Sequence, residues 1–152
     1  SSDLKLLVWQ MRFTKKNPSP EENWDWTNTT YTENGKIVNP ISGIKINFNG
    51  NSRENLKKPQ VYQKLQPMMY NCGSLNENTF MYSFALEPLK FQPSGTANLG
   101  KINDLTVEFT LIDSLANRIR NNELEIKIVF FNYGYNFLRI VSGLGALAFF
   151  GE

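Results

Sequence analysis

The 152-residue chain predicts an all-β sandwich or barrel, with the jelly roll among its candidates. Three observations carry that prediction. Apolar residues recur mostly at a spacing of two and seldom at 3.6. The alternating segments are short, and Asn-, Gly- and Pro-containing turns separate them. Only one segment has helical spacing, and prolines confine it.

Taken in order, Leu4 to Phe13 is an apolar run broken by Lys5, Gln10 and Arg12, suited to a strand covered on both faces. Asn17 to Tyr31 is the longest loop, dense in Pro, Asn, Thr and acids, and loops beyond about 12–15 residues are usually functional or exposed. Ile44, Ile46 and Phe48 alternate with Lys45, Asn47 and Asn49, a strand with one wet face that ends at Asn49-Gly50-Asn51. Leu56, Val61, Leu65 and Met69 have helical spacing, but Pro59 and Pro67 limit the helix, placed near residues 56–66, to about two turns. Phe80, Tyr82, Phe84 and Leu86 form one face of the next strand, and Met81, Ser83 and Ala85 the other. Leu105, Val107, Phe109 and Leu111 alternate with Thr106, Glu108 and Thr110, the cleanest strand in the chain. Ile126, Ile128 and Phe130 mark a fifth strand within Glu125 to Phe131, and Tyr135 to Val141 a sixth. Six strands fall short of the eight that a jelly roll needs. The chain begins Ser1-Ser2-Asp3-Leu4, with neither an initiator methionine nor a secretory signal, and so reads as part of something longer.

Composition narrows function. There is no histidine, which removes Ser–His–Asp and Cys–His catalysis and imidazole metal ligation. One cysteine, Cys72, permits neither an intrachain disulfide nor a thiolate zinc cluster. Net charge is +2, divided as +4 over residues 1–76 and −2 over 77–152, with no like-charge run that would grip nucleic acid. No cofactor and no membrane span are expected. Asparagine, at 19 residues against five glutamines, favours turns and left-handed backbone, although coding bias would enrich it too.

Several residues invite a chemical reading. Glu87, Asp104, Glu108 and Asp113 would suit glycosidic acid–base work if two of them faced one another across a cleft; as solvated strand faces and turn caps they need no such role. Cys72 lacks a histidine to activate it. Trp24, Trp26 and Tyr31 could stack on sugar rings, the basis of an alternative reading as a carbohydrate-binding β-sandwich, or could anchor the loop or bury in a subunit interface. Asn28-Thr29-Thr30 matches the N-glycosylation triplet, which is common by chance. Gln92-Pro93-Ser94-Gly95-Thr96 fits a type I turn, or a Ser-Gly pair with positive φ, and no Gly-Lys-Ser/Thr follows to hold phosphate. It reads as a structural corner. The small, apolar end, with Leu138, Ile140, Gly143, Leu144 and Phe149, should pack in the core or against a neighbouring subunit.

These segments also carry a family resemblance. Tyr82-Ser83-Phe84-Ala85-Leu86-Glu87-Pro88, Gln92-Pro93-Ser94-Gly95-Thr96-Ala97-Asn98 and Ile102-Asn103-Asp104 resemble, in order, the "FAL-x-PE-x-x-QPSGT-x-N-x-x-x-ID" signature of the double jelly-roll major capsid proteins of nucleocytoplasmic large DNA viruses, such as iridoviruses, algal viruses and mimiviruses. Tyr135-Asn136-Phe137-Leu138-Arg139-Ile140-Val141-Ser142-Gly143-Leu144-Gly145-Ala146-Leu147-Ala148 resembles that family's closing "YNVLRIMSGMGGLAY". Leu6-Leu7-Val8-Trp9 and the stretch from Ile44 to Arg53 are similar, more weakly, to its "ELIWV" and "KLQLNGHDR" segments. Departures are Ala97 for a frequent Cys, Leu99-Gly100-Lys101 for Phe-Ser-Arg, and Leu89-Lys90 where acids follow the proline.

The resemblance implies that residues 1–152 are the C-terminal jelly roll of a longer major capsid protein, incomplete at its N-terminal side. It implies a structural, non-enzymatic role in trimers that form pseudo-hexagonal capsomers of an icosahedral shell. The implied partners are the rest of the capsid polypeptide with its N-terminal jelly roll, other subunits in a homotrimer, and minor capsid proteins. The implied location is the virion, after assembly in host cytoplasm. With open sheet edges, the isolated chain is expected not to fold stably.

Overall fold

The computed structural model describes residues 3–24, 26, 29–136 and 138–147. Among these residues eleven strands run in chain order: β1 (Asp3–Lys15), β2 (Thr32–Glu33), β3 (Lys36–Ile37), β4 (Ile41–Phe48), β5 (Asn51–Lys57), β6 (Thr79–Ser83), β7 (Ala97–Asn98), β8 (Leu105–Leu111), β9 (Leu124–Tyr135), β10 (Leu138–Val141) and β11 (Leu144–Leu147). Between them lie helices α1 (Pro20–Trp24), α2 (Gln66–Met69) and α3 (Asp113–Arg120), with a π-helical turn at Val61–Leu65 leading into α2.

Two antiparallel sheets make the sandwich. In the first, β1 is central: β9 pairs along its whole length on one side, while β6 and then β7 share the other. In the second, β4 lies between β5 and β8. Each sheet is therefore three strands wide. The small β2–β3 and β10–β11 ribbons stand apart from both sheets.

The continuous apolar run becomes β1 because a central strand can bury both faces. Leu4, Leu7, Trp9 and Met11 join Ile41, Ile44 and Ile46 of β4, Tyr62 of the π turn, Phe80 and Tyr82 of β6 and Ala97 of β7 in one core. Fully burying an isoleucine such as Ile44 or Ile46 contributes about 1.5–3 kcal/mol. Trp9 is the hub, with its ring 5.7 Å from Phe80, 5.9 Å from Tyr62, 6.2 Å from Phe130 and 6.3 Å from Phe109.

Asparagine has a structural use. Asn17, Asn34, Asn49, Asn71, Asn78 and Asn122 all adopt positive φ, the left-handed region this side chain tolerates better than most. Asn34-Gly35, Asn49-Gly50 and Ser142-Gly143 make two-residue hairpin turns with positive φ at both positions, which matches the twist of the flanking strands. Asn49 also ties its hairpin to the start of β8. Its side-chain oxygen accepts from the N–H groups of Asn103 (2.9 Å) and Asp104 (3.1 Å).

The helices depart from expectation. The single helix placed near 56–66 begins instead at Val61, because Leu56 and Lys57 are still strand, and it runs on to Met69. Pro67 does not stop it: proline sits in the first turn of α2, where a missing N–H costs little, and the wider π turn absorbs the register change. The loop at 17–31 contains α1, and α3 joins β8 to β9 with Leu115 buried beneath it. The strand at 80–86 stops at Ser83, and Leu86 lies in solvent. The fifth strand is longer than expected and absorbs Tyr135 from the sixth.

Candidate assembly surface

The Gln92–Thr96 segment is not a type I turn. It has no turn assignment and leads into β7, and Gly95 takes φ +136°, the positive-φ alternative for the Ser-Gly pair. Ser94 closes the base of the excursion: its carbonyl accepts from Leu86 N–H (3.3 Å) and its hydroxyl from Glu87 N–H (2.8 Å). A Cβ on Gly95 would lie 2.8 Å from the Phe84 carbonyl oxygen, so the corner is packed backbone against backbone. Beyond Ser94 the loop carries Leu86, Leu89 and Phe91 outward, and Phe91 is 99% exposed. Leu86 and Leu89 line a shallow cavity of about 300 Å³ with Met69, and Met68 and Met69 are themselves exposed. Apolar spacing alone did not distinguish this patch from core.

Tyr31 is not available to a sugar platform. Tyr31 is 3% exposed. Its ring packs 5.1 Å from Phe13, and its hydroxyl donates to Glu33 (2.8 Å) while accepting from Arg118 (3.3 Å). A ring packed against Phe13 with the Arg118 guanidinium 5.9 Å from its centroid, and 3% exposed, cannot stack on a ligand. Trp26 is half-buried under the Arg12 guanidinium, 5.0 Å from its ring, and its carbonyl accepts from Gln10 (3.3 Å). The Trp24 side chain lies outside the described residues, as does Asn28 of the glycosylation triplet; Thr29 beside it is buried and bonds Glu77.

Three of the four carboxylates have separate partners, and the fourth starts a helix. Glu87 pairs with Lys90 (2.6 Å), Asp104 accepts from Thr106 (3.1 Å), Glu108 accepts from the Asn47 amide, and Asp113 opens α3, where an acid favours the helix dipole. Cys72 donates weakly to the Tyr70 carbonyl (3.5 Å), and burial pushes its thiol up, away from the reactive thiolate. Among the described residues no helix is long and apolar enough to cross a membrane.

The C-terminal hairpin is not in this chain's core. Leu138 and Ile140 on β10 are 67% and 66% exposed, and Gly143 forms the open turn with positive φ. The Leu144 side chain and all of Phe149 lie outside the described residues. Among the described residues the hairpin pairs with no strand of either main sheet.

One buried polar cluster bears on pH. Tyr82 donates to Glu54 (3.0 Å), and Tyr62 packs beside it. Burial pushes both phenols up to about 12, with the Glu54 charge adding to the rise. Burial alone would raise Glu54 as well, but hydrogen bonds from Lys57 and Tyr82 bring its carboxyl below the usual range. A tyrosine whose folded pKa is raised stabilises the fold below its unfolded value, and that stability drains away as pH climbs through the folded value. The subunit is expected to weaken from about pH 10 toward about 12. The Tyr62 hydroxyl has no partner among the described residues, so Tyr62→Phe should blunt the alkaline loss and leave stability at neutral pH unchanged or slightly raised. Denaturation midpoints at neutral and alkaline pH check this; equal alkaline losses in both proteins would contradict it.

Comparison with known proteins accounts for the architecture. A family model described as large eukaryotic DNA virus major capsid protein matches residues 1–146. The chain is 34% identical over 140 residues to the major capsid protein of Paramecium bursaria Chlorella virus 1, covering 82% of this chain and 31% of that one. It is 32% identical over 111 residues to the major capsid protein of Phaeocystis pouchetii virus, covering 73% and 21%. The chain thus spans about a fifth to a third of the curated relatives it matches. Among solved structures, PBCV-1 VP54, fitted into a cryo-EM reconstruction of the virophage Sputnik, superposes with a TM-score of 0.68 at 25% identity, covering 99% of this chain and 44% of that one. The Faustovirus major capsid protein shares the fold, with a TM-score of 0.58 at 13% identity over 86% of this chain and 29% of that one. The sandwich is a capsid jelly roll, and the chain belongs to the family of large eukaryotic DNA virus major capsid proteins.

Proposed function

We propose that this chain is the C-terminal jelly roll of a major capsid protein subunit and that its work is assembly. The observation that carries the reading is the family match over residues 1–146, supported by a superposition covering 99% of the chain. Three such subunits form a pseudo-hexagonal capsomer, and capsomers tile an icosahedral virion shell in the host cytoplasm, braced by minor capsid proteins. The role is structural and not enzymatic, and it involves no direct contact with nucleic acid. Gln92–Thr96 serves as a corner of the fold, and the exposed apolar residues Leu86, Leu89, Phe91, Leu138 and Ile140 bury at contacts between or within subunits, as obligate interfaces are large and apolar.

The test is electron microscopy of the complete polypeptide that contains this chain, purified from a heterologous host. Trimeric particles that pack into hexagonal arrays are the expected result. A monodisperse monomer that forms no arrays at high concentration would overturn the reading.

A further inference from the structure

The chain contains two Asn-Gly pairs, Asn34-Gly35 and Asn49-Gly50. Each forms the tip of a two-residue hairpin with positive φ at both positions. Such a pair is open to intramolecular attack on the carboxamide, because glycine has no Cβ to shield its own nitrogen. Both asparagines are exposed, so access of water does not separate them. In a turn of this kind the first residue has ψ of about +30°, which directs the following nitrogen away from that residue's own Cβ. The carboxamide comes within reach only when the tip leaves this conformation. The cost of leaving therefore sets which pair reacts first, and the two tips differ in what holds them.

Asn49 is pinned. Its side-chain oxygen accepts from Asn103 N–H (2.9 Å) and Asp104 N–H (3.1 Å), and its own N–H donates to the Asp104 carbonyl (2.8 Å). The strand before it, β4, is paired on both sides and carries Ile44 and Ile46 into the core. Moving Asn49 breaks these bonds and disturbs the start of β8. Asn34 has no such anchor. Among the described residues its side chain makes no hydrogen bond. The β2–β3 ribbon pairs at two positions, Thr32 with Ile37 and Glu33 with Lys36, and joins neither main sheet. Lys36 and Ile37 are exposed. Val38 N–H to the Tyr31 carbonyl (3.1 Å) closes the base of the ribbon. With few bonds and little buried apolar surface, this ribbon opens locally at a cost far below that of unfolding the domain.

We propose that Asn34-Gly35 is a self-modification site of the folded subunit, where the Asn34 carboxamide is converted to aspartate and isoaspartate, while the fold protects Asn49-Gly50. With the ribbon open, the Gly35 nitrogen attacks Asn34 Cγ. The N–Cγ bond forms, the Cγ–Nδ2 bond breaks, and Nδ2 leaves as ammonia carrying the Gly35 amide proton. Water then opens the cyclic imide. Addition at Cγ gives aspartate, and addition at the Asn34 backbone carbonyl carbon gives isoaspartate. In each case the Gly35 nitrogen regains a proton and the new carboxyl group ionises. The balance is one water in and one ammonia out, with no oxidant or reductant. Either product sets a carboxylate beside Glu33, which already accepts from the Tyr31 hydroxyl (2.8 Å), and lowers the chain's net charge of +2 by one. Isoaspartate also routes the main chain through Cβ, so the turn gains an atom and the β2–β3 register is lost. The chemistry does not depend on the capsid role.

The experiment incubates the complete polypeptide that contains this chain, native and in denaturant, in heavy-oxygen water, and follows both tips by peptide mass spectrometry. Heavy oxygen at residue 34 marks imide hydrolysis during the incubation and not during digestion. In the native protein Asn34 is expected to convert at least about tenfold faster than Asn49. In denaturant the two rates should agree closely, because glycine follows both and only the fold distinguishes them. Gly35→Ala, compared in denaturant so that turn strain plays no part, should slow conversion at Asn34 by about tenfold or more through the shielding methyl group. It should leave Asn49 unchanged. Equal native rates at the two tips overturn the proposal. So does an Asn34 that converts in denaturant but not in the native protein. Conversion of Gly35→Ala at the wild-type rate also overturns it, because direct hydrolysis of the carboxamide would then be the route.

Discussion

Gly95→Val is expected to abolish capsomer assembly by preventing the jelly roll from closing. Two costs combine at this position. The backbone at φ +136° lies in a region side-chain-bearing residues rarely adopt, which costs on the order of 1–3 kcal/mol. The new Cβ would also sit 2.8 Å from the Phe84 carbonyl oxygen and 3.4 Å from the Ala85 Cα. Both are backbone atoms, and they follow β6 directly, so relief means displacing the end of that strand, where Phe84 N–H bonds the Lys5 carbonyl (2.9 Å). Forced overpacking of this kind adds about 1–3 kcal/mol, and together the costs consume a large part of the roughly 5–15 kcal/mol that keeps a domain folded. Gly35→Val is the control. That glycine also has positive φ, +73°, but a Cβ there meets nothing within 4 Å, so its cost is the backbone strain alone. Soluble capsomer yield should be near zero for the first variant and mildly reduced for the second. Normal yield from Gly95→Val would contradict the argument.

That the sequence located Gly95 and offered positive φ as one of two conformations, without choosing between them, is a matter of range. Pro93 and Gly95 advertise a corner through local chemistry, but the choice between a tight turn and a positive-φ passage is made by Phe84 and Ala85, about ten residues away. The strands that alternate at period two, β4 and β8, were legible because each sets an apolar face on the core and a polar face away from it, even though Asn47 on the polar face of β4 is buried against Glu108. β6 was less so. It is buried on both sides, so Met81 and Ser83 lie as deep as Phe80 and Tyr82, and alternation carries no information there. Two helices were missed although local signals mark them. Ser19-Pro20-Glu21-Glu22 is a capping box with proline at the first helical position; the Ser19 and Glu22 side chains each bond the other's backbone N–H, at 3.3 and 3.0 Å. Asp113 begins a helix that ends in Arg118 and Arg120, with Leu115 and Ile119 one turn apart. The loop aromatics show the limit of composition. Trp26 and Tyr31 suit a sugar site as well as a packed loop until Phe13 and Arg12 are seen to occupy their faces.

The second large effect is expected at Trp9. Its side chain is 0% exposed on the central strand of one sheet and meets Phe109 of the other, Phe80 and Phe130 of the two strands flanking it, and Tyr62 of the π turn. Removing a buried tryptophan leaves a cavity bounded by rings that cannot all collapse inward, and costs about 3–5 kcal/mol. Trp9→Ala should therefore lower the denaturation midpoint of the assembled subunit steeply or prevent its recovery in soluble form. Trp9→Phe separates packing from hydrogen bonding. The Trp9 indole N–H has no acceptor among the described residues, so phenylalanine removes a buried donor that is already unpaired while keeping most of the stacking on Phe80. Its cost should be less than half that of alanine. If the two variants were equally destabilised, ring volume would not be what Trp9 contributes. If Trp9→Ala melted like the wild type, the two sheets would have to be held together elsewhere than at this cluster.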